Sequence, residues 1–291
     1  MNKIYKQLSD LFIKEFDFLT NDYNFIRKNT TFFKVINQQV IQVFSFIRLN
    51  PYCVTISIGF YSVYDYFYNL DGLKESNVRL DNFLPYYREW NPMDESKQNI
   101  IKDMKEVFIK EIIPYVEKTL TIQDLFETKK SIERKYKIYL GRLISQDVIC
   151  DFQKSLNIMM LNKAYTFIPE LKNMVSEEDL IDFKNRYPDD FIDVFPEMTE
   201  SYIKIGDLNN AFKALDYKQK ILIPSISNLD KDYRNYPDIK LNTLNRIKNR
   251  LDEIHIQKNA VINKDYVILN EMVFKAEQKT RDILAYFKLA I

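Results

Sequence analysis

Apolar positions along the chain change their period twice. In the first sixteen residues Ile4, Leu8, Leu11, Phe12 and Phe16 recur every three or four positions, which places them on one face of an amphipathic helix. Lys6, Asp10, Lys14 and Glu15 interrupt the segment, so it lacks the apolar core of a secretion signal. From Asn24 to Asp65 the period shortens to two, and the pattern predicts three strands. The first is FIRKNTTFFKVI, the second QVIQVFSFIRL and the third YCVTISIGFYSV. Ile36-Asn37-Gln38-Gln39 reads as a hairpin turn, because Asn tolerates the positive φ that tight turns need. Leu49-Asn50-Pro51 ends the second strand. In the third, Val54, Ile56, Ile58 and Phe60 share one face and Cys53, Thr55, Ser57 and Gly59 the other. That second face is made of small residues and leaves room for another part of the chain to approach.

An aromatic-rich connection of about 30 residues, Ser62 to Met93, follows; it is longer than an ordinary loop. After Pro92 and Asp94 a helical stripe appears at Ile100, Ile101, Met104, Val107, Phe108 and Ile112, with Pro114 near its end. Beyond about residue 121 the period is helical throughout. Leu241, Leu244, Ile247, Leu251 and Ile254 form one apolar stripe, and Ile268, Met272 and Ala276 another. Ser176-Glu177-Glu178-Asp179 reads as a helix N-terminus, with acids opposing the helix dipole. The fold class that follows is α+β: an N-terminal antiparallel sheet of three or more strands with helices, then an α-helical C-terminal region. The expected domains are 1–125 and 126–291.

Composition removes function classes more readily than it suggests them. The chain has 291 residues, 42 Lys+Arg against 41 Asp+Glu, one His, 4 Gly and 2 Cys. A single His excludes multi-histidine metal sites. Gly59, Gly72, Gly141 and Gly206 are too scattered to form a phosphate-binding loop. No metal or cofactor is therefore expected. Cys53 and Cys150 read as free thiols of a reducing compartment, and no apolar run is long enough to span a membrane. The near-zero net charge hides an asymmetry. Residues 151–200 hold 5 Lys+Arg against 11 Asp+Glu, whereas residues 201–291 hold 16 against 11. The Ile/Lys/Asn/Tyr-rich composition points to a bacterial, AT-rich genome.

Candidate chemistry is sparse. A catalytic His255 needs a nucleophile or carboxylate brought to it by the fold, a nucleophilic Cys53 an electropositive or His-paired setting, and the acid pairs Glu177-Glu178 and Asp189-Asp190 tertiary partners; they read instead as a surface residue, a core cysteine and helix-start acids. Phe32, Phe33, Phe44 and Phe46, with Arg27, Lys28, Lys34 and Arg48, invite comparison with sheets that stack RNA bases. Against this, residues 1–125 carry 15 basic and 16 acidic side chains, and a core role for the phenylalanines is the favoured reading. The connection offers Tyr61, Tyr64, Tyr66, Tyr68, Arg79 and Trp90 as binding candidates, since Tyr, Trp and Arg anchor interfaces. The competing reading is a lid that packs these rings over the sheet.

Two stretches carry resemblances. Tyr202-Ile-Lys-Ile-Gly206-Asp207-Leu208-Asn-Asn-Ala211 resembles the turn between the helices of a tetratricopeptide repeat: Gly206 for a left-handed cap, Asp207 for the next helix start, Ala211 for close crossing. No second copy appears at the repeat period. Phe25-Ile-Arg-Lys28-Asn-Thr-Thr31-Phe32, then Val40-Ile-Gln42-Val43-Phe-Ser-Phe46, then Val54-Thr-Ile-Ser-Ile-Gly59-Phe60 resemble the strands of a bacterial family known as a domain of unknown function. Arg79-Leu80, Leu84 and Trp90 fit its downstream segment. That resemblance spans residues 1–125 and implies a fold, not an activity.

The resulting expectation is a non-enzymatic, cytoplasmic bacterial protein that binds a protein partner, in the manner of immunity or adaptor proteins. The alternatives are an enzyme without a catalytic His, or a single-stranded nucleic-acid binder using the aromatic and basic sheet face.

Overall fold

The computed structural model describes the chain apart from residues 1, 51, 66–77, 87, 147–152, 155–156, 159–160, 162–167, 176–193, 233–235 and 287–291. Its contacts divide it into two compact units. One gathers Met1–Val63, Phe67–Asp193 and Ile283–Ile291; the other gathers Tyr64–Tyr66 and Val194–Asp282.

The first unit opens with α1 (Asn2–Glu15) and the short α2 (Phe18–Asn21). Four antiparallel strands follow in sequential order: β1 (Ile26–Lys28), β2 (Thr31–Ile36), β3 (Val40–Asn50) and β4 (Cys53–Ser62). The first expected strand is therefore two. Asn29 takes a left-handed φ of 55° and folds the run back, so that Lys28 pairs with Thr31. The expected hairpin turn is present. Asn37 and Gln38 both have positive φ, 49° and 56°, and Gln39 N–H donates to the Ile36 carbonyl at 2.9 Å. Positive φ at both central residues gives the turn the twist its flanking strands require.

Register decides which side chains share a face. Phe32 pairs with Phe44 and Phe44 with Ile58, forming one apolar row across three strands. The helix α3 (Lys97–Glu111) covers this face together with α1. Phe108 of α3 meets the Phe44 ring edge-on at 4.9 Å between centroids, and Phe12 of α1 stacks on Phe46 at 5.0 Å. Phe32, Phe33 and Phe44 are fully buried and Phe46 nearly so. They are sealed in the core, where no nucleic-acid base reaches them. Each such burial stabilises by roughly 1.5–3 kcal/mol, and each ring pair adds about 0.5–1.5 kcal/mol. The helix α3 begins at Lys97, a few residues beyond the expected opening at Pro92 and Asp94, because Ser96 caps it, accepting from Asn99 N–H at 3.2 Å.

One polar side chain crosses the apolar face by design of the register. Gln42 is fully buried, and its Nε2 donates to the carbonyls of Val116 and Thr119 at 3.0 and 3.3 Å. Those carbonyls lie at the end of α4 (Ile113–Lys118), where a helix leaves acceptors unpaired. The opposite face carries a second polar row: Thr31 pairs with Ser45 and Ser45 with Ser57, and Ser45 Oγ donates to Thr31 Oγ1 at 3.0 Å.

The long α5 (Ile122–Ser145) also belongs to this unit, which thus extends past residue 125. Its apolar side packs Tyr139, Leu143 and Ile144 with Ile158, Leu161 and Leu171. Gly141 finds its reason here: a Cβ would lie 2.7 Å from Leu171 Cδ2 and 3.2 Å from Met174 Sδ. Any larger residue would force the Leu171 and Met174 side chains to shift.

The second unit is helical: α6 (Thr199–Lys204), α7 (Leu208–Asp232), α8 (Pro237–Asn263) and, up to Asp282, α9 (Tyr266–Tyr286). Its first turn forms as its residues dictate. Gly206 has φ +79°, Asp207 N–H donates back to the Tyr202 carbonyl at 2.9 Å, and Asp207 Oδ1 accepts from Asn210 N–H at 3.1 Å. Ala211 is fully buried at the crossing. At the far corner Lys264 takes the left-handed conformation, and Asp265 caps α9 through Val267 N–H at 3.1 Å. Among the described residues no helix is long and apolar enough to cross a membrane.

Candidate binding site

The six aromatic and arginine candidates do not form one surface. Tyr66 and Tyr68 lie outside the described residues, as do Cys150, Ser176, Glu177-Glu178 and Asp189-Asp190. Trp90 is fully buried, so it cannot anchor a partner from the surface. Its backbone carbonyl accepts from Val54 N–H at 3.2 Å on the outer edge of β4, and its Nε1–H donates to Asp103 Oδ2 at 2.8 Å. Arg88 binds the same carboxylate and forks onto Glu95 at 2.7 and 2.6 Å. This network fastens the connection to α3.

Arg79 lies on the same strand edge. It bridges to Ser57, and its Nη2 pairs with Asp81 Oδ2 at 3.1 Å. Thr55 Oγ1 donates to the other Asp81 oxygen at 2.9 Å. The small-residue face of β4 thus receives Asp81, from the 3-10 turn Leu80–Phe83. Burial pushes the Asp81 carboxyl above its usual range, against the opposing pull of Arg79 and Thr55. Burial, with Glu89 and Asp81 nearby, pushes the Cys53 thiol up to about 11, so it is a protonated core thiol and not a nucleophile near neutral pH. Tyr61 lays its ring over Gly59, and Lys129 Nζ sits 5.7 Å from that ring's centroid. Arg79 with Asp81 is therefore a strut between a turn and a strand; it does not line up several carboxylates for acid–base work. Among the described residues no cluster of three metal-ligating side chains occurs.

Tyr64 belongs to the other unit, where it is buried with Lys204 Nζ 5.0 Å from its ring centroid. His255 is exposed on α8.

Searches for relatives add no identity. No family model, curated protein or solved structure matches this chain. Binding features must therefore be read from its own surface.

That surface shows a concentration which the candidate residues missed. On α9, Val267 is 80% exposed and Phe274 59%, one above the other at a seven-residue spacing. Ile262 and Tyr266, 61% and 60% exposed, flank the corner where α8 meets α9. The opposite side of α9 is a proper core face, with Leu269, Met272, Val273, Ala276 and Thr280 buried. The helix is thus apolar on two sides. Reading a single stripe from Ile268, Met272 and Ala276 finds only the first. The signal for the second was the spacing of Val267 and Phe274.

Charge around the exposed stripe is balanced. Lys275 Nζ pairs with Glu271 at 2.6 Å, and Arg281 pairs with Glu277 at 2.6 Å, each one turn apart. Such exposed pairs add little stability, but they leave the face without net charge.

Proposed function

We propose that the protein is a non-enzymatic, cytoplasmic bacterial protein that binds another protein, as immunity and adaptor proteins do, and that the outer stripe of α9 is part of its binding surface. The observation that carries this reading is the exposure of Val267 and Phe274 on one helical face, with Ile262 and Tyr266 at the adjoining corner. Exposed apolar clusters with polar surroundings are a mark of interaction sites. An amphipathic helix offers such side chains at i and i+7 to a groove on a partner.

The charge balance supports a protein as the partner. Nucleic acid and anionic lipid are both bound chiefly through excess Lys and Arg. Here Glu271 and Glu277 neutralise Lys275 and Arg281. A protein groove with an apolar floor is the better complement.

The test is affinity capture from the source cell, with the wild-type chain and the V267S/F274S variant run side by side. The reading requires a protein that the wild type retains and the variant loses, at an unchanged melting temperature. Identical captures by both chains overturn it.

A further inference from the structure

A surface that pairs with its own copy carries a mark that one built for a foreign protein need not. In a twofold contact the same patch lies on both sides, so residue i meets residue j and j meets i. Two antiparallel helices then oppose residues at equal distances on either side of one midpoint.

The exposed stripe of α9 has such a midpoint, between Asn270 and Glu271. Val267 and Phe274 lie at equal distances from it, and both are exposed apolar side chains. One step further out, exposed Tyr266 corresponds to exposed Lys275, a ring opposite an ammonium. Asp265 corresponds to Ala276, which is buried on the core side of α9. Beyond them Lys264 corresponds to Glu277, a pair of opposite charges, and Asn263 to Gln278, two exposed amides able to exchange hydrogen bonds. At the midpoint itself an amide donor, Asn270, faces a carboxylate acceptor, Glu271. Each pair outside the core side thus matches in chemistry, and none joins like charges.

A parallel pair of helices lacks this property. It would set Glu271 against Glu271 and Lys275 against Lys275. The neutrality of the stripe favours the antiparallel contact too, since Glu271 and Glu277 balance Lys275 and Arg281 and leave no excess charge to repel a copy. The apolar part is small, Val267 and Phe274 with Tyr266 and Ile262 beside them. Such a contact lies at the low end of interface sizes, where association is weak and reversible.

We propose that a second copy of this chain occupies the outer stripe of α9, with the two helices antiparallel about a twofold axis beside Asn270 and Glu271. This rests on the reading of that stripe as a binding surface and names its occupant when the chain is alone.

The experiment is sedimentation velocity of the purified full chain, from micromolar to near-millimolar concentration. Wild type should move from monomer toward dimer as concentration rises, and V267S/F274S should stay monomeric throughout. Charge exchange reads the register. Lys264→Glu sets two carboxylates together at each end of the contact, and Glu277→Lys sets two ammoniums together. Each should raise the dimer dissociation constant at least about threefold. The chain carrying both exchanges regains opposite charges and should return to within about twofold of wild type. A wild-type chain that stays monomeric overturns the inference. So does a V267S/F274S chain that dimerises like wild type, or a double exchange no tighter than either single one. The sample holds this chain alone, so the result is independent of partner capture. A dimer lost by V267S/F274S, beside a capture from the source cell that the same variant leaves unchanged, upholds self-association and defeats the foreign partner.

Discussion

In the first unit Phe12, Phe32, Phe44 and Phe108 are fully buried and touch ring to ring, whereas in the second Val267 and Phe274 face solvent while Asp65 and Glu200 are buried. The difference is not one of composition, since both stretches are rich in apolar residues. It lies in what each backbone can bury. A four-stranded sheet covered by α1 and α3 has one wide face and helices to close it. A set of long helices has more apolar perimeter than its neighbours cover, so part of it remains outside. The sheet unit uses its polar groups as fasteners: Gln42 to the end of α4, Thr55 to Asp81, Trp90 to Asp103. The helical unit uses two buried hydroxyls, Ser201 and Thr280, to hold one residue, Asp65, brought in from a distant part of the sequence.

That contrast can be broken at its strongest point first. Phe44 contacts the rings of Phe25, Phe60 and Phe108. Phe44→Ala should cost about 3–5 kcal/mol, seen as a lower urea midpoint of the first transition. A loss under about 1 kcal/mol would mean that the aromatic face is not the first unit's core. Next is Asp103→Ala, which strips a partner from both Trp90 and Arg88. It should cost about 1–3 kcal/mol in the same assay, because a buried indole N–H is left unpaired.

Asp81 sharpens the comparison through pH. Its folded-state pKa lies above the ordinary 3.8, so the folded chain holds this proton more tightly than the unfolded one. The resulting stabilisation is fully present below about 3.8 and is lost as the pH rises through the folded-state value. Asp81→Asn removes this dependence while keeping an acceptor for Thr55. Urea midpoints measured from acid to neutral pH should show wild type falling relative to the variant. Parallel curves would show that burial does not govern this carboxyl. The smallest effect is expected at the surface: V267S/F274S should change stability by no more than about 0.5 kcal/mol.

Much of the fold was legible from period alone. The alternation in Val54, Ile56, Ile58 and Phe60 marks β4, and Asn37 marks the hairpin. The break at Asn29 was missed because a two-residue turn inside a β-rich run leaves the alternation almost intact; only the φ of 55° reveals it. The candidate site was far less legible. Trp90 reads as an interface anchor by residue type, yet its fate depends on Asp103, thirteen positions away on α3. The burial of Asp65 gave no sign, because its donors Ser201 and Thr280 come from helices far along the chain. The limit to reading the second unit was geometric. Its helices carry apolar residues on more than one side, and period cannot say which side a neighbour will cover.

The proposed division gives binding to the helical unit and core-building to the sheet unit. It is tested most directly by quantifying one captured partner on three chains: wild type, V267S/F274S, and Y52S/M93S, which alters exposed apolar residues of the first unit. The partner should be lost from V267S/F274S and kept at wild-type level by Y52S/M93S. Loss from Y52S/M93S with retention by V267S/F274S contradicts it.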